Sequence, residues 1–239
     1  MNESASAIEQ AKLPQALIPP LQNGDHLDWD EFERRWDAMP LLKRAELIEG
    51  VVFMSPAAEE FHAEPFFDLG AWMGVYRAAT PGLVGANEAT VKLDQRTAPQ
   101  PDILLRVRAE LGGQARRDAK GYVHGPPELA VEIVGSSASY DLHEKKEVYR
   151  RFGVKEYIVW RVYDAAVDWF VLREGVYRSL EPDSKGLLKS EVFPGLWLDA
   201  AALLRGDLAA VLKVVEEGIA SPEHAGYVTR LGDRPLLDL

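Results

Sequence analysis

The sequence predicts an α/β fold, a mixed sheet flanked by helices. Three observations lead there. Segments with helical spacing of apolar and aromatic residues are interspersed with short apolar runs. One such run, "ELAVEIV" (128–134), reads as a buried central strand. Beyond it "KEYIVWRV", "VDWFVL" and "GVYRSL" read as a β-meander that leads to a last amphipathic helix.

The elements follow in order. Residues 1–24 are rich in Ala, Pro and Gln and read as a loose arm. "LDWDEFERRWDAMP" carries charges and aromatics at helical spacing up to Pro40, which predicts a helix over about 28–38. "AELIEGVVFMSP" reads as a hairpin around Gly50. Residues 58–79 read as a helix with Phe61, Trp72 and Tyr76, ended by "TPG". "GANEATVKL" alternates as one strand, and "PQPDILLRV" is a turn entering a short apolar strand. Residues 109–127 form a polar loop. A helix follows the central strand over about 141–152, with Asp141 as its N-cap and Gly153 as its stop. Residues 199–219 form the last helix, and 221–239 a tail. A single domain over 25–220 is expected.

Composition narrows the function. Of 239 residues 47% are hydrophobic, enough for a substantial core. No stretch approaches the roughly 18 consecutive apolar residues of a membrane span, and no secretory signal is expected. The absence of cysteine excludes disulfides, thiolate-bound zinc and thiol catalysis, and fits a cytoplasmic protein. The net charge of −11 opposes nucleic acid at long range, so a nucleic-acid substrate requires local positive charge or a metal ion.

Glu132 interrupts the apolar run at its middle. A lone buried carboxylate costs several kcal/mol or becomes neutral, so it needs a cation, hydrogen bonds or a strand-end position. On the next helix Leu142, Val148, Tyr149 and Phe152 share an arc at 100° per residue, and Lys145 projects near its centre. Its stem can pack on the core while its ammonium reaches Glu132. Snorkelling to solvent is the other reading. Asp102, after Pro101, heads another short apolar strand. By itself it is an ordinary turn residue. Together, same-face carboxylates on neighbouring strands about 4.8 Å apart can share a divalent ion. A nearby lysine can then act on bound water or on phosphate charge. Phosphodiester hydrolysis uses these parts. A structural Glu–Lys pair is the competing explanation.

In this order, "PQPDILLRV", "PPELAVEIV" and "DLHEKKEVYRRFGVKEYIVW" resemble the bacterial Uma2 family of restriction endonucleases, assigned to the PD-(D/E)XK nuclease superfamily. "ELIEGVVFMSP" and His62 resemble the family's N-terminal hairpin and following helix, so the likeness covers about 44–200. It implies a restriction-endonuclease-like core and a Mg²⁺-dependent endonuclease of DNA, with Mn²⁺ as a substitute. Asp102 and Glu132 would be the metal ligands, and Lys145 the third catalytic residue. The superfamily's usual lysine position, two after Glu132, holds Val134. The family's lysine lies on the following helix, which matches Lys145. Where the family has a Ser-Pro-Ser-like turn, this chain has Gly135, Ser136 and Ser137.

Further candidates surround this set. Glu49, with Glu46 nearby, is an accessory acid or a hairpin-turn residue. His62 lines the cleft or packs locally, and Tyr149 places its hydroxyl at the site edge. His124 and His143 stand alone and suggest no metal cluster. Residues 103–120 carry a local excess of three positive charges and 141–155 an excess of two. Arg106, Arg108, Arg116, Arg117 and Lys146 are the candidate DNA contacts. A homodimer would suit two-strand cleavage. The alternative function is an inactive nuclease-fold module that binds nucleic acid or a partner protein.

Overall fold

The structure is a computed structural model that describes residues 18–54, 60–135 and 141–233, without the side chains of 60, 61, 141 and 142. The side chains of Phe61, Asp141 and Leu142, and residues Ser136 and Ser137, thus lie outside the described residues. Helix α1 (Trp29–Asp37) starts where Asp28 accepts a hydrogen bond from the Glu31 amide at 3.0 Å. Strands β1 (Glu46–Ile48) and β2 (Val51–Phe53) form the hairpin. Its turn residues Glu49 and Gly50 have φ of 52° and 85°, as a two-residue turn of this hand requires. A Cβ on Gly50 would collide with the Arg96 guanidinium.

Helix α2 (Glu60–Ala79) leads to β3 (Leu83–Asn87), β4 (Val91–Lys92) and β5 (Ile103–Val107). The single strand expected over "GANEATVKL" is therefore two. Glu88, at φ 50°, breaks it. The expected polar loop over 109–127 contains a 3₁₀ turn (Ala109–Leu111) and strands β6 (Arg116–Arg117) and β7 (Val123–His124), and the latter two join β4 in a small sheet. β8 (Leu129–Val134) is the central strand. A π-helical turn (Asp141–Lys145) runs into α3 (Lys146–Phe152), which ends at Gly153 with φ 85°.

β9 (Glu156–Arg161), β10 (Ala166–Arg173) and β11 (Val176–Ser179) form the meander, followed by β12 (Leu188–Lys189) and β13 (Trp197–Leu198). The expected last helix is two, α4 (Ala200–Leu204) and α5 (Leu208–Ile219). Gly206 breaks it at φ 73°, and Asp207 caps the second by accepting from the Ala210 amide. The segment expected as a tail from 221 holds α6 (Pro222–Gly232), capped by Ser221 with Pro222 at the first position. At the other end Leu21, expected in a loose arm, is buried with Trp29, Phe32 and Leu47.

The main sheet runs β11-β10-β9-β8-β5-β3. β8 and β9 are parallel and the other neighbours antiparallel, so the meander is one wing of this sheet. Strand alternation sorts the core. Ile103, Leu105, Leu129, Val131 and Ile133 pack with Trp72 and Tyr76 of α2 and with the C-terminal helices. Ala130 and Val134 point the other way, into a cluster with Tyr149 of α3. Glu132 belongs to this second face.

Candidate active site

β5 and β8 pair with Ile103 opposite Val131 and Leu104 opposite Ala130. The same register carried one step beyond the last pair brings Asp102 beside Glu132, and the Ile133 amide next to Glu132 donates to Asp102. Both acidic residues are buried, at 1% and 2% exposure.

Asp102 is held from three sides. Its Oδ1 accepts from Arg44 Nη2 at 2.6 Å. Its Oδ2 accepts from the Ile133 amide at 2.6 Å and lies 3.2 Å from His62 Nε2. Burial alone would raise the Asp102 carboxyl, but the His62 hydrogen bond, the Arg44 charge and the Ile133 amide outweigh it and hold the group below its usual range. Arg44 also donates to the Gln100 carbonyl at 3.3 Å and to Glu88 at 3.0 Å. Burial disfavours its charge, yet Asp102, with Glu132 and Glu46, more than compensates and the guanidinium is held above its ordinary value. Among the described residues the buried Arg44 Nε has no hydrogen-bond partner.

Glu132 and Lys145 do meet. Lys145 Nζ lies 3.1 Å from Glu132 Oε1 and 3.0 Å from Glu46 Oε1. The Tyr149 hydroxyl donates to Glu132 Oε1 at 3.0 Å, and its burial pushes the phenol well above its usual value. Lys145 is the last residue of the π-helical turn, and Val148 and Tyr149, three and four positions on, are buried beside it. Glu46 also accepts from the Gln100 amide at 2.6 Å, which ties the hairpin to the segment preceding Asp102.

The hairpin acid that joins the site is Glu46, not Glu49. Glu49 sits in the left-handed turn, is exposed, and pairs with Arg151 at 2.6 Å. His62 reaches the site directly. Among the expected DNA contacts Arg106 is buried and donates to the Ala115 carbonyl at 3.0 Å. Lys146 lies 3.3 Å over the Phe170 ring. Arg108, Arg116 and Arg117 are exposed. His124 pairs with Asp118 at 2.8 Å, and His143 is exposed. Sequence reasoning passed over Arg44 and Gln100. The available signal was "RAE": Arg44 and Glu46 are two apart, so in an extended chain they share a face.

Three acids, two cationic side chains and a histidine thus converge on one edge of the β5–β8 pair. Among the described residues no group of three His, Cys, Asp or Glu side chains is arranged around a single cation position. The donor chemistry nevertheless fits a hard divalent cation: Asp102 and Glu132 offer carboxylate oxygens, each with more than one lone pair. Binding there would require Arg44 or Lys145 to yield part of its hold.

Comparison with known proteins agrees with this architecture. A putative nuclease belonging to DUF820 from Anabaena variabilis superposes with a TM-score of 0.51 at 12% identity, covering 75% of this chain and 97% of that one. At that identity the likeness is one of fold. No curated protein matches the chain. The profile of the Uma2 family, described as "Putative restriction endonuclease", matches residues 29–201, which include Arg44, Glu46, His62, Asp102, Glu132 and Lys145. The chain belongs to the Uma2 family.

Proposed function

We propose that this protein is a Mg²⁺-dependent endonuclease that hydrolyses phosphodiester bonds in DNA, with Mn²⁺ able to substitute. The observation that carries the reading is the Lys145 ammonium on Glu132, whose neighbour Ile133 holds Asp102 through its backbone amide. Asp102 and Glu132 would hold the cation, with Glu46 beside them as a further acid. When bound, the cation supplies Lewis-acid activation of water and charge neutralisation at phosphate. Lys145 orients the attacking water by donating to it, and its positive charge offsets the charge that grows on the phosphoryl oxygens. Tyr149 fixes Glu132 by its hydroxyl hydrogen bond. Ile133 fixes Asp102 through the backbone of the neighbouring strand. Arg116 and Arg117 are exposed and able to meet the DNA backbone. The nuclease unit would include Leu21 and α6, which pack into its core, act in the cytoplasm, and pair as a homodimer for two-strand cleavage. Among the described residues no helix is long and apolar enough to cross a membrane.

One observation favours a second reading, an inactive module that binds nucleic acid or a partner protein. Each acid of the site already has a positively charged partner on this chain. Calorimetric titration of Mn²⁺ and Mg²⁺, with cleavage of supercoiled plasmid, decides between them. Saturable binding and nicking by wild type, both lost in a folded Asp102→Ala/Glu132→Ala variant, support the enzyme. A folded wild type that neither binds metal nor cuts supports the module.

A further inference from the structure

We propose that Arg44 competes with the divalent cation for Asp102, and so sets the cation concentration at which the site loads. The proposal rests on the metal-dependent reading above. Asp102 has three partners, and they differ in how far they can retreat. The Ile133 amide belongs to the central strand and is fixed there by the sheet. His62 stands at 3.2 Å, the longest of the three contacts. Arg44, at 2.6 Å, makes the short charge-assisted bond to Oδ1. A Mg²⁺ ion binds carboxylate oxygen at about 2.0–2.1 Å. It would draw on the same oxygen's lone pairs and stand beside the guanidinium as a like charge.

Arg44 also has somewhere to go. Its Nη1 already donates to Glu88, whose side chain is 51% exposed, while the Asp102 side chain is 1% exposed. The guanidinium therefore spans from the buried acid to the surface. Among the described residues its buried Nε has no acceptor, so its present position leaves a buried donor unused. Leaving Asp102 would keep the Glu88 contact and release a fork of donors suited to a phosphate oxygen.

The test is calorimetric titration of Mn²⁺ into full-length wild type, Arg44→Gln and Arg44→Met, without nucleic acid, with thermal melts to establish folding. Gln keeps a donor for Asp102 without the charge. Met keeps the bulk of the stem and serves if the Gln variant does not fold. The expected result is tighter Mn²⁺ binding by the folded variant, by about 5- to 150-fold, the usual range of coupling between sites. Binding by the variant where wild type shows none would be the same result in stronger form. A merely structural Arg44 predicts the opposite direction, since its loss would loosen Asp102. Equal or weaker binding by a folded variant overturns the competition and leaves the metal reading intact, because wild type still binds. No binding by any folded protein overturns both.

Discussion

The Lys145 ammonium lies 3.1 Å from Glu132 Oε1, and the two side chains are 5% and 3% exposed. At that depth each charge needs compensation, and Lys145 also meets Glu46. A buried ion pair adds little net stability, but removal of one partner strands the other charge, at a cost of about 3–5 kcal/mol. Lys145→Ala strands two acids, Glu132 and Glu46. We expect a loss of that size in urea denaturation, partly recovered in Lys145→Met/Glu132→Gln. A Lys145→Ala variant as stable as wild type would mean that the pair is not formed in solution.

Acid sensitivity follows from Asp102. Burial opposes its ionisation, but His62, Arg44 and the Ile133 amide prevail and its carboxyl is depressed. A depressed carboxyl contributes stability that is fully present above its unfolded value of about 3.9 and is lost as pH falls through the folded value. Urea melts should therefore show little change from this group above about pH 5 and a decline below about pH 4. In Asp102→Asn that decline should be shallower. An identical acid limb in both proteins would assign the acid sensitivity to other carboxylates.

The two hairpin acids should separate cleanly. Glu46→Gln weakens a buried contact to Lys145 and one to the Gln100 amide. It should lower both stability and nicking activity. Glu49→Gln removes an exposed pair with Arg151, worth about 0–1 kcal/mol, and should leave nicking unchanged. Plasmid nicking and melts of the two variants side by side read this directly, and the reverse order would shift the accessory role to Glu49.

The arginines of the 103–120 segment should also divide. Replacing Arg116 and Arg117 with Ala should reduce the salt dependence of DNA affinity, by a log–log slope of about 0.9 for each phosphate that is no longer neutralised. Arg106→Ala should instead cost about 1–3 kcal/mol of stability, because it removes a buried donor to the Ala115 carbonyl. Fluorescence anisotropy across a salt series, with melts, distinguishes the two classes. An unchanged slope in Arg116→Ala/Arg117→Ala would take these residues out of the DNA path.

Much of the site was legible because its chemistry clashes with local pattern. Glu132 stands out in an apolar run and Lys145 on an apolar helical arc, and the two anomalies do answer each other at 3.1 Å. Arg44 gave no comparable signal. It sits among charged residues in "LLKRAELIEG", and only long-range folding carries it to an acid 58 positions away. Arg106 misled in the opposite sense: one arginine among several in a basic segment looks solvent-facing, but β5 is covered on both faces and all five of its residues are buried. Breaks were equally hidden. Glu88 adopts φ 50°, a backbone region its side chain does not favour, because β3 and β4 belong to different sheets.

By itself the sequence determined the α/β class, the order of the main strands and helices, and the identity of Glu132 and Lys145 as the residues to explain. These rest on periodicity and on burial of charge, which act over a few residues. The tertiary structure decided the register that sets Asp102 beside Glu132. It also decided which hairpin acid faces inward and which cation holds Asp102. Those outcomes depend on pairing between segments tens of residues apart, where a shift of one residue turns every side chain of a strand to its other face.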